Sequence, residues 1–186
     1  IRYTPSHLRM KRIAILLTVF NRREKTADCL NAVYAGCGDV FDFDIFLTDD
    51  GSTDGTADYL RSLFPYDNLH ILQGDGNLFW NGGMNNSWKA AIEHGGYDGY
   101  LWLNNDTTPY PKLCEELKAT DDYCKSQFGK GGVYVGSTNG TDQEKLTYGG
   151  FNYTNKFTLA DSFCIPNGEF QTCQCAHGNI LYVSSN

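Results

Sequence analysis

Residues 13–34 read IAILLTVFNRREKTADCLNAVY, and the change of period within this stretch decides the fold. Ile13 to Val19 is a near-continuous apolar run, as a parallel strand covered on both faces requires. The pattern then turns helical: Asn21 with Glu24 three residues on makes a capping box, and Ala27, Leu30, Val33 and Tyr34 recur on one face. The alternation repeats downstream. Phe43 to Thr48 reads as a second strand, Ala57, Leu60, Leu63 and Phe64 as a second helix, and His70 to Leu72 as a short third strand. Trp88, Ala91 and Ile92 describe a third helix ending at Gly95, and Tyr100 to Leu103 a fourth buried strand. This order predicts an α/β fold, with a mainly parallel central sheet flanked by helices.

The chain has 186 residues, 41% hydrophobic and 14% aromatic, enough for one well-buried domain. A net charge of -7 argues against nucleic acid as a partner, because phosphate recognition needs a basic stripe. The small cluster Arg9, Lys11 and Arg12 reads as solvated. No apolar run reaches the length of a membrane span, and nothing resembles a signal peptide. Seven cysteines, an odd number, fit a reducing, cytoplasmic setting, with Cys29 and Cys114 as buried hydrophobes. Cys173 and Cys175 form a CxC pair, but no second pair stands at zinc spacing.

In open parallel sheets, ligands bind beyond the carboxyl ends of the strands. Four polar clusters are therefore expected on one rim: Thr18 to Asn21, Asp49 to Ser52, the stretch GDGNLFWNGGMNNS from Gly74 to Ser87, and Asn104 to Thr107. Asp42-Phe43-Asp44 is the literal DxD of the chain, but it opens the second strand on the opposite rim and reads as solvated. The glycine-rich stretch lacks the GxGxxG spacing of a dinucleotide fold and follows the third strand rather than the first. A phosphatase of the haloacid dehalogenase type is excluded too, since Asp49-Asp50-Gly51 lacks its paired aspartates after the first strand.

The ordered runs TVFNRREKTADCL, TDDGSTDGT, GNLFWNGGMNNSW and LWLNNDT resemble a family 2 glycosyltransferase of the GT-A fold, best its bacterial rhamnosyltransferase-like branch. The resemblance covers about residues 10 to 183. It implies transfer of a sugar, with inversion, from a nucleoside diphosphate donor to an acceptor hydroxyl, assisted by Mn²⁺ or Mg²⁺. The family's base-binding threonine and aspartate map onto Thr18 and Asp50, with Phe20, Asn21 and Asp49 nearby. A carboxylate can accept a pyrimidine N–H and Phe20 offers an aromatic face; Asp49 can instead meet the ribose. A simple turn with a helix cap would also account for Gly51, Ser52 and Asp54. Asp106 maps to the last aspartate of the family's metal motif, while Asn104 and Asn105 stand where carboxylates often do. A single carboxylate binds metal weakly, so the ion is expected to arrive with the donor.

In the glycine-rich stretch, Gly82 and Gly83 would let the backbone pass close to the diphosphate and sugar, and Asn77, Asn81 and Asn85 offer amides. Phe79 and Trp80 would wall the ring. A long turn followed by an Asn N-cap, with buried aromatics, is the plainer alternative. Leu113, Cys114 and Leu117 suggest a fourth helix, Gly132 to Val135 a strand, and Thr147 to Phe151 (TYGGF) another. His177 precedes a strand that the family brings back under the donor, and the resemblance makes it a candidate diphosphate or metal contact.

The resulting organisation is a leader or tag-like segment at residues 1–9 and one GT-A domain at 10–186, with a donor half at 10–106 and a partial acceptor half at 107–186. No residue matches the family's general base; Asp161 and Glu169 are carboxylates that nothing places at the sugar. Truncation at the C-terminus, with donor binding but inefficient transfer, is the expectation. A nucleotide-sugar or carbohydrate-binding module and a sugar-1-phosphate nucleotidyltransferase are the alternatives, though TVFNRR lacks the latter's glycine-rich loop. UDP- or dTDP-sugars are favoured as donors and a glycan or lipid-linked molecule as acceptor. The expected location is the cytoplasm, including peripheral association with the cytoplasmic face of the inner membrane.

Overall fold

The computed structural model describes residues 9–140, 145–155 and 157–185; residues 1–8 of the leader segment, and with them its assignment, lie outside the described residues. The opening apolar run forms β1 (Arg12–Val19), with every residue from Ile13 on buried. It pairs in parallel with β2 (Asp42–Asp49) on one side and β4 (Gly99–Leu103) on the other, while β3 (Leu69–Gln73) extends β2. Two later strands, β5 (Val133–Val135) and β11 (Ile180–Ser184), complete a sheet of order β3-β2-β1-β4-β11-β5, in which β11 runs antiparallel to both neighbours.

The two faces of β1 follow its period of two. Ile13, Ile15 and Leu17 pack with Leu30 and Val33 of α1 (Arg23–Cys37), Leu60 of α2 (Thr56–Leu63) and Leu117 of α4 (Leu113–Phe128). Ala14 and Leu16 face the other way, onto Met84 and Ala91 of α3 (Phe79–His94). The expected α/β architecture is therefore present, with helices on both faces. The remaining strands form two small sheets: β6 (Thr138–Asn139) with β7 (Leu146–Tyr148), and β8 (Gly150–Asn155) between β9 (Ala160–Phe163) and β10 (Cys175–Ala176).

Several expectations are corrected. Asn21 does not cap α1: it is left-handed (φ 58°), and its side chain turns to the neighbouring loop, accepting the Thr53 N–H at 3.0 Å. The third helix begins at Phe79, so Gly82 and Gly83 lie inside it rather than in a loop, and Ile92 is exposed. Leu63 of α2 is also exposed. TYGGF is split between β7 and β8, which belong to different sheets. Cys114 is no free hydrophobe, because the end of α1 meets the start of α4 and Cys37 and Cys114 form a disulfide. The basic cluster is paired: Arg9 with Asp98, Lys11 with Asp121 and Asp122, and Arg12 with Asp44.

Glycine lets α3 lie this close to the sheet. A Cβ on Gly83 would stand 2.0 Å from Thr18 Oγ1, so only a hydrogen at that position admits the helix. Ser87, one turn on, donates to the Leu17 carbonyl at 2.8 Å and meets Thr48 Oγ1 at 2.7 Å; Asn86 reaches the same hydroxyl at 3.2 Å. The polar composition of the stretch thus serves helix packing on β1 and β2.

Candidate functional site

The sheet reverses direction of growth between β1 and β4, and the loops leaving their carboxyl ends open a cleft of about 260 Å³ there. Thr18, Val19, Phe20, Arg22, Asp50, Phe79, Trp80 and Asn105 line it. A larger hollow, about 390 Å³, lies on the far side beside α1 and α4 and is lined by Asp39, Glu115, Lys118 and Asp122 among others. It brings together no chemistry comparable to the cleft.

Asp50 organises one wall. It is buried, and its two carboxylate oxygens accept the backbone N–H groups of Gly76 and Phe79, each at 2.9 Å. This holds the 74–79 loop under the cleft. Gly74 is needed there because a Cβ would stand 2.6 Å from Asp50 Oδ1. Phe79 adopts a left-handed backbone (φ 52°), strained for a bulky residue, and its ring is 79% exposed at the mouth. Asp49 is 3% exposed and caps the turn by accepting the Ser52 N–H at 2.9 Å. Asn21 donates its backbone N–H to Ser52 Oγ at 2.7 Å, which joins the loops after β1 and β2.

The opposite wall comes from the loop after β4. Asn104 accepts the Trp80 indole N–H at 2.9 Å, and Asn105 donates to Thr26 Oγ1 at 2.9 Å. Trp80 stacks edge-on against Trp102, with ring centroids 5.8 Å apart. Asp106 Oδ2 accepts from Arg22 Nη1 at 2.9 Å, and the carboxylate is partly exposed. Behind it, burial and the Asp106 charge push the Cys29 thiol up to about 12, so it stays protonated.

The structure brings Thr18, Phe20, Asp50, Trp80 and Asn105 together around one cleft, with Asp106 held beside it by Arg22. It does not bring every candidate in. Asn77 is exposed, and its backbone N–H donates to Asp75 Oδ1 at 2.9 Å. Gly82 and Gly83 are internal to α3, against Leu78 and Thr18. His177 is fixed by backbone contacts with Gly149 (Nδ1 to the carbonyl oxygen, 3.2 Å) and sits among Tyr148, Phe151 and Phe163. Its neighbour Gly178 lies against Trp80, where a Cβ would come within 2.9 Å of the indole. Asp161 and Glu169 are exposed and do not line the cleft. The sequence pattern alone does not single out Arg22 or the hydrogen-bonding role of Asn104. Arg22 carried a usable signal, a cation at the carboxyl end of the first strand.

The description "glycosyl transferase family 2" belongs to the family model that matches residues 14–176. Among curated proteins, glycosyltransferase AglE of Haloferax volcanii is 28% identical over 109 residues, 58% of this chain and 34% of that protein. Among solved structures, residues 1–349 of S. aureus TarS with UDP-GlcNAc align with a TM-score of 0.56 at 19% identity, covering 74% of this chain and 37% of that one. The complex of the same protein with UDP aligns with a TM-score of 0.57 at 16% identity, covering 73% and 38%. At these identities the structural likeness shows the GT-A fold. The chain spans about a third of the length of these relatives.

Proposed function

This chain belongs to glycosyl transferase family 2, and on that premise we propose that its cleft binds a nucleoside diphosphate sugar and that the protein transfers the sugar to a hydroxyl of a glycan or lipid-linked acceptor. The observation that carries this reading is the convergence of Thr18, Phe20, Asp50, Trp80 and Asn105 at the switch point between β1 and β4, with Asp106 beside them. Asp50 keeps lone pairs beyond those taken by Gly76 and Phe79, so it can still accept the N–H of a pyrimidine, which favours UDP or dTDP. Phe20 and Phe79, both exposed, offer faces for the base, and Trp80 offers an edge for the sugar.

Asp106 is the hard oxygen donor for Mn²⁺ or Mg²⁺. The site fits an ion that brings its own phosphate ligands, because Asn104 and Asn105 are engaged with Trp80 and Thr26 and leave one carboxylate available. When bound, the ion offsets the charge that develops on the departing diphosphate. Arg22, released from Asp106, carries a guanidinium suited to the same diphosphate. The inverting course rests on the family resemblance.

Release of free UDP or dTDP from the matching nucleotide sugar tests the proposal. Mn²⁺-dependent release by the wild-type chain, lost in Asp106→Ala, is expected. Binding without release would favour a nucleotide-sugar-binding module, and absence of binding would overturn the reading.

A further inference from the structure

The second aspartate of the DFD triplet is not solvated as its sequence position suggests. Asp44 is 6% exposed, near the amino-terminal edge of β2, at the end of the sheet away from the cleft. Its Oδ2 accepts from Arg12 Nη2 at 2.6 Å and from the Tyr97 hydroxyl at 2.9 Å, while its Oδ1 lies 3.2 Å from His70 Nε2. His94, the last residue of α3, completes the group: Asp44, His70 and His94 each present one ligand atom, and these lie within 4.8 Å of one another. Among the described residues this is the one cluster of three or more His, Cys, Asp or Glu ligand atoms so close together.

We propose that Asp44, His70 and His94 form a second metal site, for a borderline divalent transition ion of the Zn²⁺ type, which staples β2, β3 and the end of α3 together. Two imidazoles and a carboxylate are the donor set such ions take, with the remaining coordination positions open to water on the exposed His94 side. The surroundings already orient the ligands. Arg12 and Tyr97 hold Oδ2 and leave Oδ1 turned to His70. The Tyr97 hydroxyl has a single proton, and the carboxylate can only accept, so that proton goes to Asp44. With the Tyr97 proton on Asp44, the 3.0 Å contact between Tyr97 Oη and His94 Nδ1 is donated by His94, so the neutral ring keeps one unprotonated nitrogen. Phe46 stacks on the His70 ring, with centroids 4.6 Å apart, and restrains its tilt. On binding, the ion replaces the proton between His70 Nε2 and Asp44 Oδ1; His70 takes its Nδ1–H tautomer, so the imidazole stays neutral.

The staple joins elements distant in sequence. His94 ends the helix whose other end carries Phe79 and Trp80, and a helix of 16 residues spans roughly 24 Å. The ion would therefore fix the seating of α3 on the sheet without touching the cleft.

Titration of the nucleotide-free chain with Co²⁺, read by visible absorption and followed by displacement with Zn²⁺, tests the proposal. One tight equivalent, distinct from the weak uptake at the lone Asp106 carboxylate, is expected to bind with a nitrogen- and oxygen-ligated spectrum and no thiolate charge-transfer band. His94→Ala, at an exposed helix end where the fold should be unaffected, is expected to weaken uptake by more than about 100-fold, since loss of even an outer-sphere partner costs about 10- to 100-fold. His70→Gln should do the same, and Asp106→Ala should leave this uptake unchanged. Equal uptake by wild type and His94→Ala, a thiolate band, or no Co²⁺ bound at millimolar concentration would overturn it.

Discussion

Arg22 Nη1 lies 2.9 Å from Asp106 Oδ2, so the loop leaving β1 is tied to the loop leaving β4 directly across the switch point. Both side chains are substantially exposed, 57% and 38%, and such a pair is worth about 0.2–1 kcal/mol. On the proposed function, the pair is a latch that the donor's metal and diphosphate would open at small cost.

If so, Arg22→Gln frees Asp106 in the absence of nucleotide. Mn²⁺ affinity measured without nucleotide should rise by roughly 1.4- to 5-fold, the same free energy expressed as a ratio. UDP affinity measured with Mn²⁺ should fall, because the proposed guanidinium–diphosphate contact is lost. An unchanged Mn²⁺ affinity would remove the latch.

The neighbouring glycines of α3 should respond differently to alanine. At Gly83 the new Cβ would meet Thr18 Oγ1 at 2.0 Å, whereas at Gly82 it would meet the Leu78 Cβ at 3.0 Å. Gly83→Ala should destabilise the fold by about 1–3 kcal/mol in urea unfolding, despite the gain in helix propensity. Gly82→Ala should stay within about 1 kcal/mol of wild type, since propensity offsets a tight but adjustable contact.

Asp50→Asn keeps the shape but not the acceptors. An amide has one acceptor oxygen, so either the Gly76 or the Phe79 N–H loses its partner and faces an NH₂ group. A stability loss of about 1–3 kcal/mol is expected, together with faster amide exchange at Gly76 or Phe79.

The carboxylate of Asp121 sets part of the acid stability. Burial raises its pKa, but hydrogen bonds from Lys11, Ser184, Lys125 and Tyr134 outweigh this and hold it at about 2. A depressed folded-state value stabilises the protein above the unfolded pKa of about 4 and is lost as pH falls from there through about 2. Asp121→Asn should flatten that part of the stability profile and destabilise the chain near neutral pH by about 3 kcal/mol, since the buried partner of two lysines is gone.

The sheet was legible because β1 and β2 are buried on both faces and β4 alternates buried Leu101 and Leu103 with half-buried Tyr100 and Trp102, and apolar runs report that directly. The rim that carries Thr18, Asp50, Asn105 and Asp106 followed from the strand ends. The start of α3 was not legible: glycine and asparagine are poor helix formers, and what keeps Gly82 to Asn86 helical is contact with Thr18 and Thr48, residues far away in sequence. Asp44 misled for a similar reason. Alternation near a strand end suggests solvent, but Arg12, His70 and Tyr97 arrive from three other segments to cover it. The Cys37–Cys114 pairing joins helices 77 residues apart, a separation over which no local pattern reports.

Thermal unfolding with UDP, dTDP, GDP and ADP, each with and without Mn²⁺, on the wild-type chain and Asp106→Ala, tests the donor cleft most directly. A ligand at about 100 times its dissociation constant adds roughly 2.7 kcal/mol. At about 2–4 °C per kcal/mol for a chain of this size, the midpoint should rise by roughly 5–11 °C. Such a rise is expected with a pyrimidine diphosphate and Mn²⁺ and not in Asp106→Ala; no rise with any nucleotide, or an equal rise in the variant, would rule out a metal-dependent donor site in this cleft.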